Sequence, residues 1–309
     1  MSDIIVRTVP VMGTVVTIQV VGHGETPAAA ADRDATIDRA TEWFQRVESS
    51  CSRFEEQSEL RQLCAHVGTP VVVSEMLFEA VRFALAVASE TNGAFDPTVG
   101  GVMEVRGFNR EHRSGIATSS AGAAATGGSF RDVRTDVTTR TITIMRPLTL
   151  DLGAVAKGLA IDLAARELAP LKNFAIDAGG DLFLGGHNAD GEPWRVGIRH
   201  PREAGVMIET LRVSGAAVCT SGDYERAGVA TDGGHHLMDP RDGSSATALA
   251  SATVIAPTAM VADALATAVF VLGPMEGIDR LDRHGADGVL FTPTLERSAT
   301  RGMLAMATA

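Results

Sequence analysis

Apolar and polar positions alternate at the start of the chain and then change period, and those changes outline its elements. The opening MSDIIVRTVPVMGTVVTIQV alternates, and TVVTIQVVG predicts a first strand over Val11 to Val21. In ATIDRATEWFQRVESS, residues 35 to 50, the apolar positions Ile37, Ala40, Phe44 and Val47 recur at helical spacing. A second helix is expected after Ser74 in SEMLFEAVRFALAVASETNG, with Ser74 as its N-cap and Asn92-Gly93 as its stop. Strands resume in FRDVRTDVTTRTITIMRPLTLDLG, where TITI alternates clearly, and a helix follows through AKGLAIDLAARELAPL. FAIDAGGDLFLGG, WRVGIRHP and TLRVSGAAVCTS read as further strands, and a shorter helix is expected over Met275 to His284. Helices that lie between strand pairs, rather than alternating with single strands, indicate an α+β class with mixed or antiparallel sheets.

One stretch raises a question of its own. IAPTAMVADALATAVFVLG, Ile255 to Gly273, is apolar or small at nearly every position, and about 20 such residues suffice to cross a membrane. Asp263 near its middle and Pro257 near its start argue for a buried helix instead. A charge at mid-bilayer costs at least about 2.5 kcal/mol, and no second span is there to shelter it. Burial leaves the carboxylate in need of a partner, because a buried charge is neutralised, paired or bound to a metal.

Composition narrows the class. With 309 residues the chain can bury a large core, as one domain or as two closely packed subdomains. It is 45% hydrophobic and 21% charged, with a formal net charge of -11, which disfavours nucleic acid and anionic membranes as general partners. Cys51, Cys64 and Cys219 are an odd number without a CxxC pair, so neither a disulfide framework nor a zinc site is expected. The start of the sequence as written shows no signal peptide, membrane anchor or lipid-accepting cysteine, which suggests a cytoplasmic protein; the mature form of an exported one would look the same. Residues 111 to 129 are rich in Ala, Ser and Gly and read as a low-complexity loop.

Four stretches carry candidate chemistry. In DLGAVAKGLAID, a strand ending at Gly153 is expected to feed a helix from about Val155, placing backbone amides and Lys157 at the positive end of a helix dipole, where phosphate binds. No Walker A pattern is present, and a lysine on an ordinary helix surface is the competing reading. In AIDAGGDLFLGG, Gly179-Gly180 allow close approach of a ligand to the backbone, or merely a turn. TSGDYERAGVATDGGHHLMDPRDG holds the only tyrosine, Tyr224, with Ser221, Asp223 and Glu225. A hairpin across its glycines would bring His236 to Glu225 and make the imidazole a candidate proton acceptor, while His235 would point elsewhere and be structural. Asp263 and Thr267, four apart on one helix, share a face and make half of a hard-cation site. The competing reading is a carboxylate capping the helix start, since Asp263 follows Pro257 closely.

Taken together and in order, these stretches resemble the ApbE family of FAD:protein FMN transferases. The signposts are MGT at Met12 to Thr14, GAFDPTVG, DLGAVAKGLAID, AGGD, WRVGIRHP, TSGDYER, HHLMDPRDG and ADALAT, and they span most of the chain. The resemblance implies an α+β fold of mixed sheets and helices with FAD in a cleft, and a magnesium-dependent transfer of FMN from FAD to a threonine of a client protein, releasing AMP. It implies Ala154, through its carbonyl, Asp263 and Thr267 as metal ligands, so that Asp263 is paired with magnesium and not with a side chain. It further implies His236 as the base, with Lys157 and Asp263 also catalytic. Met12, Gly13, Phe95, Asp96, Gly153, Lys157, Gly179, Gly180, Ser221, Gly222, Tyr224, Glu225 and His236 are the implied FAD contacts. Asp177 stands where Asn often precedes AGG, and Asp242-Gly243 where Thr-Gly is common. Hydrolysis of FAD to FMN and AMP, or FAD binding without turnover, are the alternatives.

Overall fold

The computed structural model describes residues 3–110, 127–225, 228, 230 and 233–306. The expected low-complexity loop at 111–129 lies outside them except for its last three residues. The alternating N-terminus forms two strands, β1 (Ile4–Val11) and β2 (Thr14–Val21), where a single strand over Val11 to Val21 was expected. Met12 and Gly13 form the two-residue turn between them, both at positive φ (53° and 68°). Such turns match the twist of a hairpin but favour Asn or Gly at both positions, so Met12 gave no turn signal.

Helix α1 (Pro27–Cys51) starts well before the apolar stripe that predicts its second half. Thr26 caps it, accepting from the Ala29 amide at 3.1 Å, and Pro27 occupies the first turn, where a missing N–H does no harm. Helix α2 (Glu59–Ala65) and strand β3 (Val71–Val72) lead to α3 (Glu75–Glu90). There Ser74 accepts from the Leu77 amide, and Asn92 and Gly93 turn to positive φ just beyond the end, as their sequence predicts. After α4 (Gly100–Val105), β4 (Val133–Asp136) and β5 (Thr141–Ile144) join β3 in a small sheet of order β3-β5-β4. Beyond Ile144 the chain is irregular up to α5 (Gly153–Leu168), with one bridge, Val99 to Thr149. The strand expected to end at Gly153 is therefore absent from the structure: Asp151 instead anchors the segment by backbone and side-chain hydrogen bonds.

Next come β6 (Phe174–Ala178), β7 (Asp181–Gly185), β8 (Trp194–Arg199), β9 (Met207–Val213), β10 (Ala216–Gly222) and β11 (Ser251–Ala256). Then α6 (Ala259–Leu272), α7 (Pro274–His284), β12 (Asp287–Phe291), β13 (Arg297–Ala299) and α8 (Met303–Met306) close the fold. The apolar run from Ile255 divides: Ile255 and Ala256 end β11, and the helix begins only after Pro257. Eight strands build the main sheet in the order β1-β2-β6-β7-β10-β11-β12-β13, every neighbouring pair antiparallel.

Alternation decides which side each strand residue serves. On one face Val16, Ile18, Ala217, Cys219 and Val254 meet α1, α5 and α6; on the other Val218, Leu184 and Ile255 meet Trp194, Val196 and Leu211 of the β8–β9 hairpin. Buried over most of its surface, with no residue exposed, α6 explains the apolar length of its sequence, and no described helix is long and apolar enough to cross a membrane.

Candidate active site

A cavity of about 1190 Å³ opens where the main sheet, α5, α6 and the β8–β9 hairpin converge. All the site residues expected from the sequence line it. Met12 and Gly13 come from the β1–β2 turn, and Phe95 and Asp96 from the loop after α3. Gly153, Ala154 and Lys157 come from α5, and Gly179 and Gly180 from the β6–β7 turn. Ser221, Gly222, Tyr224 and Glu225 leave the end of β10, His236 lies in the following loop, and Asp263 and Thr267 project from α6.

The Asp263 carboxylate is 6% exposed, and its partner in the structure is a side chain. Lys157 Nζ lies 3.2 Å from Asp263 Oδ2 and forms a closer ion pair with Asp181. Of the expectation that Asp263 is paired with magnesium and not with a side chain, the second half is corrected: Lys157 is a side-chain partner. The capping alternative is removed too, because Thr258 accepts from the Val261 amide and caps α6 itself. Asp181, 4% exposed, is the residue sequence reasoning passed over. Its signal was the carboxylate directly after Gly179-Gly180. Both glycines sit at positive φ (69° and 96°), making a tight turn that aims β7 and Asp181 back at α5.

One ammonium facing two buried carboxylates leaves a net negative pocket lined by hard oxygens. Thr267 lies one turn beyond Asp263, its hydroxyl 3.3 Å from that of Ser221, so Ser221 touches the proposed metal-ligand face as well as the cavity. At Ala154 the helix departs from regular geometry, with φ -91° and ψ 16°. That ψ turns its carbonyl about 60° from the helical direction. Carboxylate, hydroxyl and carbonyl oxygens suit magnesium, and no described group of three His, Cys, Asp or Glu closes a cage around it. Such an open set fits an ion that keeps waters and substrate phosphates.

His236 reaches the neighbourhood of Glu225 without the expected hairpin, since the described residues between β10 and β11 form turns and one bridge, Met238 to Ser245. Its Nδ1 lies 3.1 Å from the Glu225 carbonyl oxygen. The Glu225 carboxylate lies 3.4 Å from Arg199, so His236 meets Glu225 at its backbone carbonyl rather than at the expected carboxylate. His235 is structural as expected: it accepts from the Leu237 amide at Nδ1 and meets the Ala246 carbonyl through Nε2.

The Tyr224 ring lies over Gly222, where a Cβ would come within 2.5 Å of it, so glycine is required for the ring to lie there. Burial and the nearby Glu225 push the Tyr224 phenol upward. Asp96 accepts from the Thr98 amide and hydroxyl and from the Phe130 amide, so both its oxygens are engaged in shaping the loop beneath the cavity. Cys51 also lines the space, but burial pushes its thiol up to about 12, which excludes a thiolate nucleophile at neutral pH.

A second buried charge, unforeseen in the sequence, braces the rim. Arg53, 4% exposed, donates to Asp151 at 2.5 Å and to the Phe108 carbonyl. Asp151 in turn accepts from the Gly153 amide at the start of α5, and the Phe108 ring meets His236 edge-on.

The ApbE family model matches residues 12–290. The FAD:protein FMN transferase of Vibrio cholerae is 30% identical, over 87% of this chain and 81% of its own. The protein of the same name from Salmonella typhimurium is 32% identical, over 89% and 80%. The ApbE protein of Thermotoga maritima superposes over 99% of this chain and 100% of its own, with TM-score 0.86 at 28% identity. The flavin transferase ApbE of Vibrio cholerae follows with the same coverage, TM-score 0.83 and 25% identity. Family match, relatives and fold agree, and the chain belongs to the ApbE family.

Proposed function

We propose that the protein is a magnesium-dependent FAD:protein FMN transferase that moves FMN from FAD to a threonine of a client protein and releases AMP. The observation that carries this reading is that Ala154, Lys157, Asp181, Asp263, Thr267 and His236 line one cavity, in which Lys157 pairs with both Asp181 and Asp263. That cavity is large enough for a dinucleotide together with an acceptor side chain.

The chemistry is a displacement at phosphorus. The client hydroxyl oxygen bonds to the phosphorus of the FMN half, the bridging P–O bond breaks, and AMP departs with the electron pair. Contact between His236 Nδ1 and the Glu225 carbonyl requires a ring proton on Nδ1, so in the neutral imidazole Nε2 would be the nitrogen that takes the hydroxyl proton. Lys157 and the amides at the start of α5 face the departing charge. Asp263, Thr267 and the Ala154 carbonyl would hold magnesium, which when bound offsets the negative charge of the pyrophosphate. Met12, Phe95 and Tyr224 supply apolar surface for the flavin.

The test combines AMP release from FAD, with magnesium and with chelator, and the mass of an acceptor domain bearing a threonine. Magnesium-dependent AMP together with an FMN mass increment on threonine is expected. AMP without acceptor labelling would turn the assignment to FAD hydrolysis.

A further inference from the structure

The distance between Lys157 on α5 and Asp263 on α6 depends on how closely the two helices approach, and two other residues set that approach. At Gly158, a Cβ would lie 2.5 Å from the Cα of Met260 and 2.6 Å from the Ala259 carbonyl, so the α5 backbone rests directly on the first turn of α6. One turn further along α5, Asp162 is 8% exposed, and no other part of the reaction scheme uses it. Its Oδ1 accepts from the Ala259 amide at 2.7 Å and its Oδ2 from the Met260 amide at 3.0 Å. These are orphan donors of the α6 N-terminus, and Thr258 takes the next one. Ala154, Gly158 and Asp162 are spaced four apart and share one face of α5. The carboxylate thus fixes where α6 begins relative to the helix that carries Ala154 and Lys157.

We infer that Asp162 is a positioning residue: by clamping the start of α6 onto α5 across Gly158, it sets Asp263 and Thr267 in register with the Ala154 carbonyl and Lys157. A carboxylate is suited to this because two oxygens meet two adjacent amides and the helix dipole favours the negative charge. An asparagine keeps one acceptor and turns an NH2 toward the second amide, so the clamp would open on one side. An alanine removes it. The inference rests on the metal reading above, and the two can be separated.

The experiment measures Mn2+ binding to the full chain without FAD by electron paramagnetic resonance, and in parallel FAD binding in chelator by fluorescence quenching. Wild type, Asp162→Asn, Asp162→Ala and Asp263→Asn are compared, and Asp162→Glu stands in if the alanine variant does not fold. The Asp162 variants are expected to raise the Mn2+ Kd about tenfold while FAD affinity in chelator changes less than twofold. Asp263→Asn should abolish Mn2+ binding. Asp162 variants that bind Mn2+ like wild type, beside an Asp263 variant that does not, would overturn the positioning role and leave the metal reading standing. Asp263→Asn indistinguishable from wild type would remove the metal reading and this inference with it. Parallel loss of Mn2+ and FAD binding in the Asp162 variants would make Asp162 a general stability residue.

Discussion

At the scale of single residues, the cavity is organised around a charge imbalance. Lys157 faces Asp181 and Asp263, both buried, so removing its ammonium takes the counter-ion from two carboxylates at once, leaving Asp181 only the Thr220 amide among the described residues. Breaking a buried pair from one side costs about 3 kcal/mol, because the remaining charge has lost both water and partner. Lys157→Met should therefore lower the urea midpoint in chelator, and adding Asp181→Asn should restore part of it by removing one stranded charge. Equal midpoints for wild type and Lys157→Met would mean that water already serves these carboxylates.

His235 sets a second balance, in protons. Burial pushes its imidazole below the ordinary value of 6.5, and Arg106 acts in the same direction, while the Ala246 carbonyl and Asp223 oppose it. The Phe270 ring packed edge-on against it adds no charge. With its folded pKa depressed, His235 binds fewer protons in the folded than in the unfolded chain. Its contribution is complete above about pH 6.5 and is lost as pH falls through the folded value. Asp96 and Asp162, raised by burial, work with the opposite sign in more acid solution, so the comparison belongs above pH 5. Between pH 7.5 and 5.5 the melting temperature should fall, and His235→Gln should flatten that fall. Coinciding slopes would take His235 out of the account.

At the scale of elements, what could be read in advance follows from how local each cause is. Helix α3 carries its cap, apolar stripe and stop within its own residues, and it forms where its sequence says. The first half of α1 has almost no apolar stripe, because PAAAADRD sits at its exposed start; only its cap and Pro27 mark it. Ile255 and Ala256 look like helix because buried strand and buried helix are equally apolar, and only Pro257 separates them. The same limit applies to partners. Asp263 could be flagged as a buried charge needing compensation, but its neighbours Lys157 and Asp181 lie on α5 and β7, far away in sequence and joined only by the fold. Arg53 was unreadable for the same reason, since nothing in CSRFEEQSEL announces that its side chain will reach Asp151 and the Phe108 carbonyl.

At the scale of the whole molecule, the open issue is whether the chain folds as one unit or as two closely packed subdomains. The order of the main sheet favours one. Strands β1 and β2 from the start of the chain pair with β6 and β7 from its middle, which pair through β10 with β11 to β13 from its end. The core beneath runs without interruption from Val11 to Leu290, through α1, α5 and α6. Neither half could unfold without exposing the apolar face of the other, so the loss of one removes the support of the rest. The cavity sits on that shared structure: Met12 and Gly13 belong to the first hairpin, Lys157 to the middle and Asp263 to the end. Scanning calorimetry should accordingly give a single transition with equal calorimetric and van't Hoff enthalpies. FAD should move that transition upward as a whole, in proportion to RT ln(1 + [L]/Kd). Two resolved transitions, with FAD shifting only one, would divide the chain into subdomains and place the cavity in one of them.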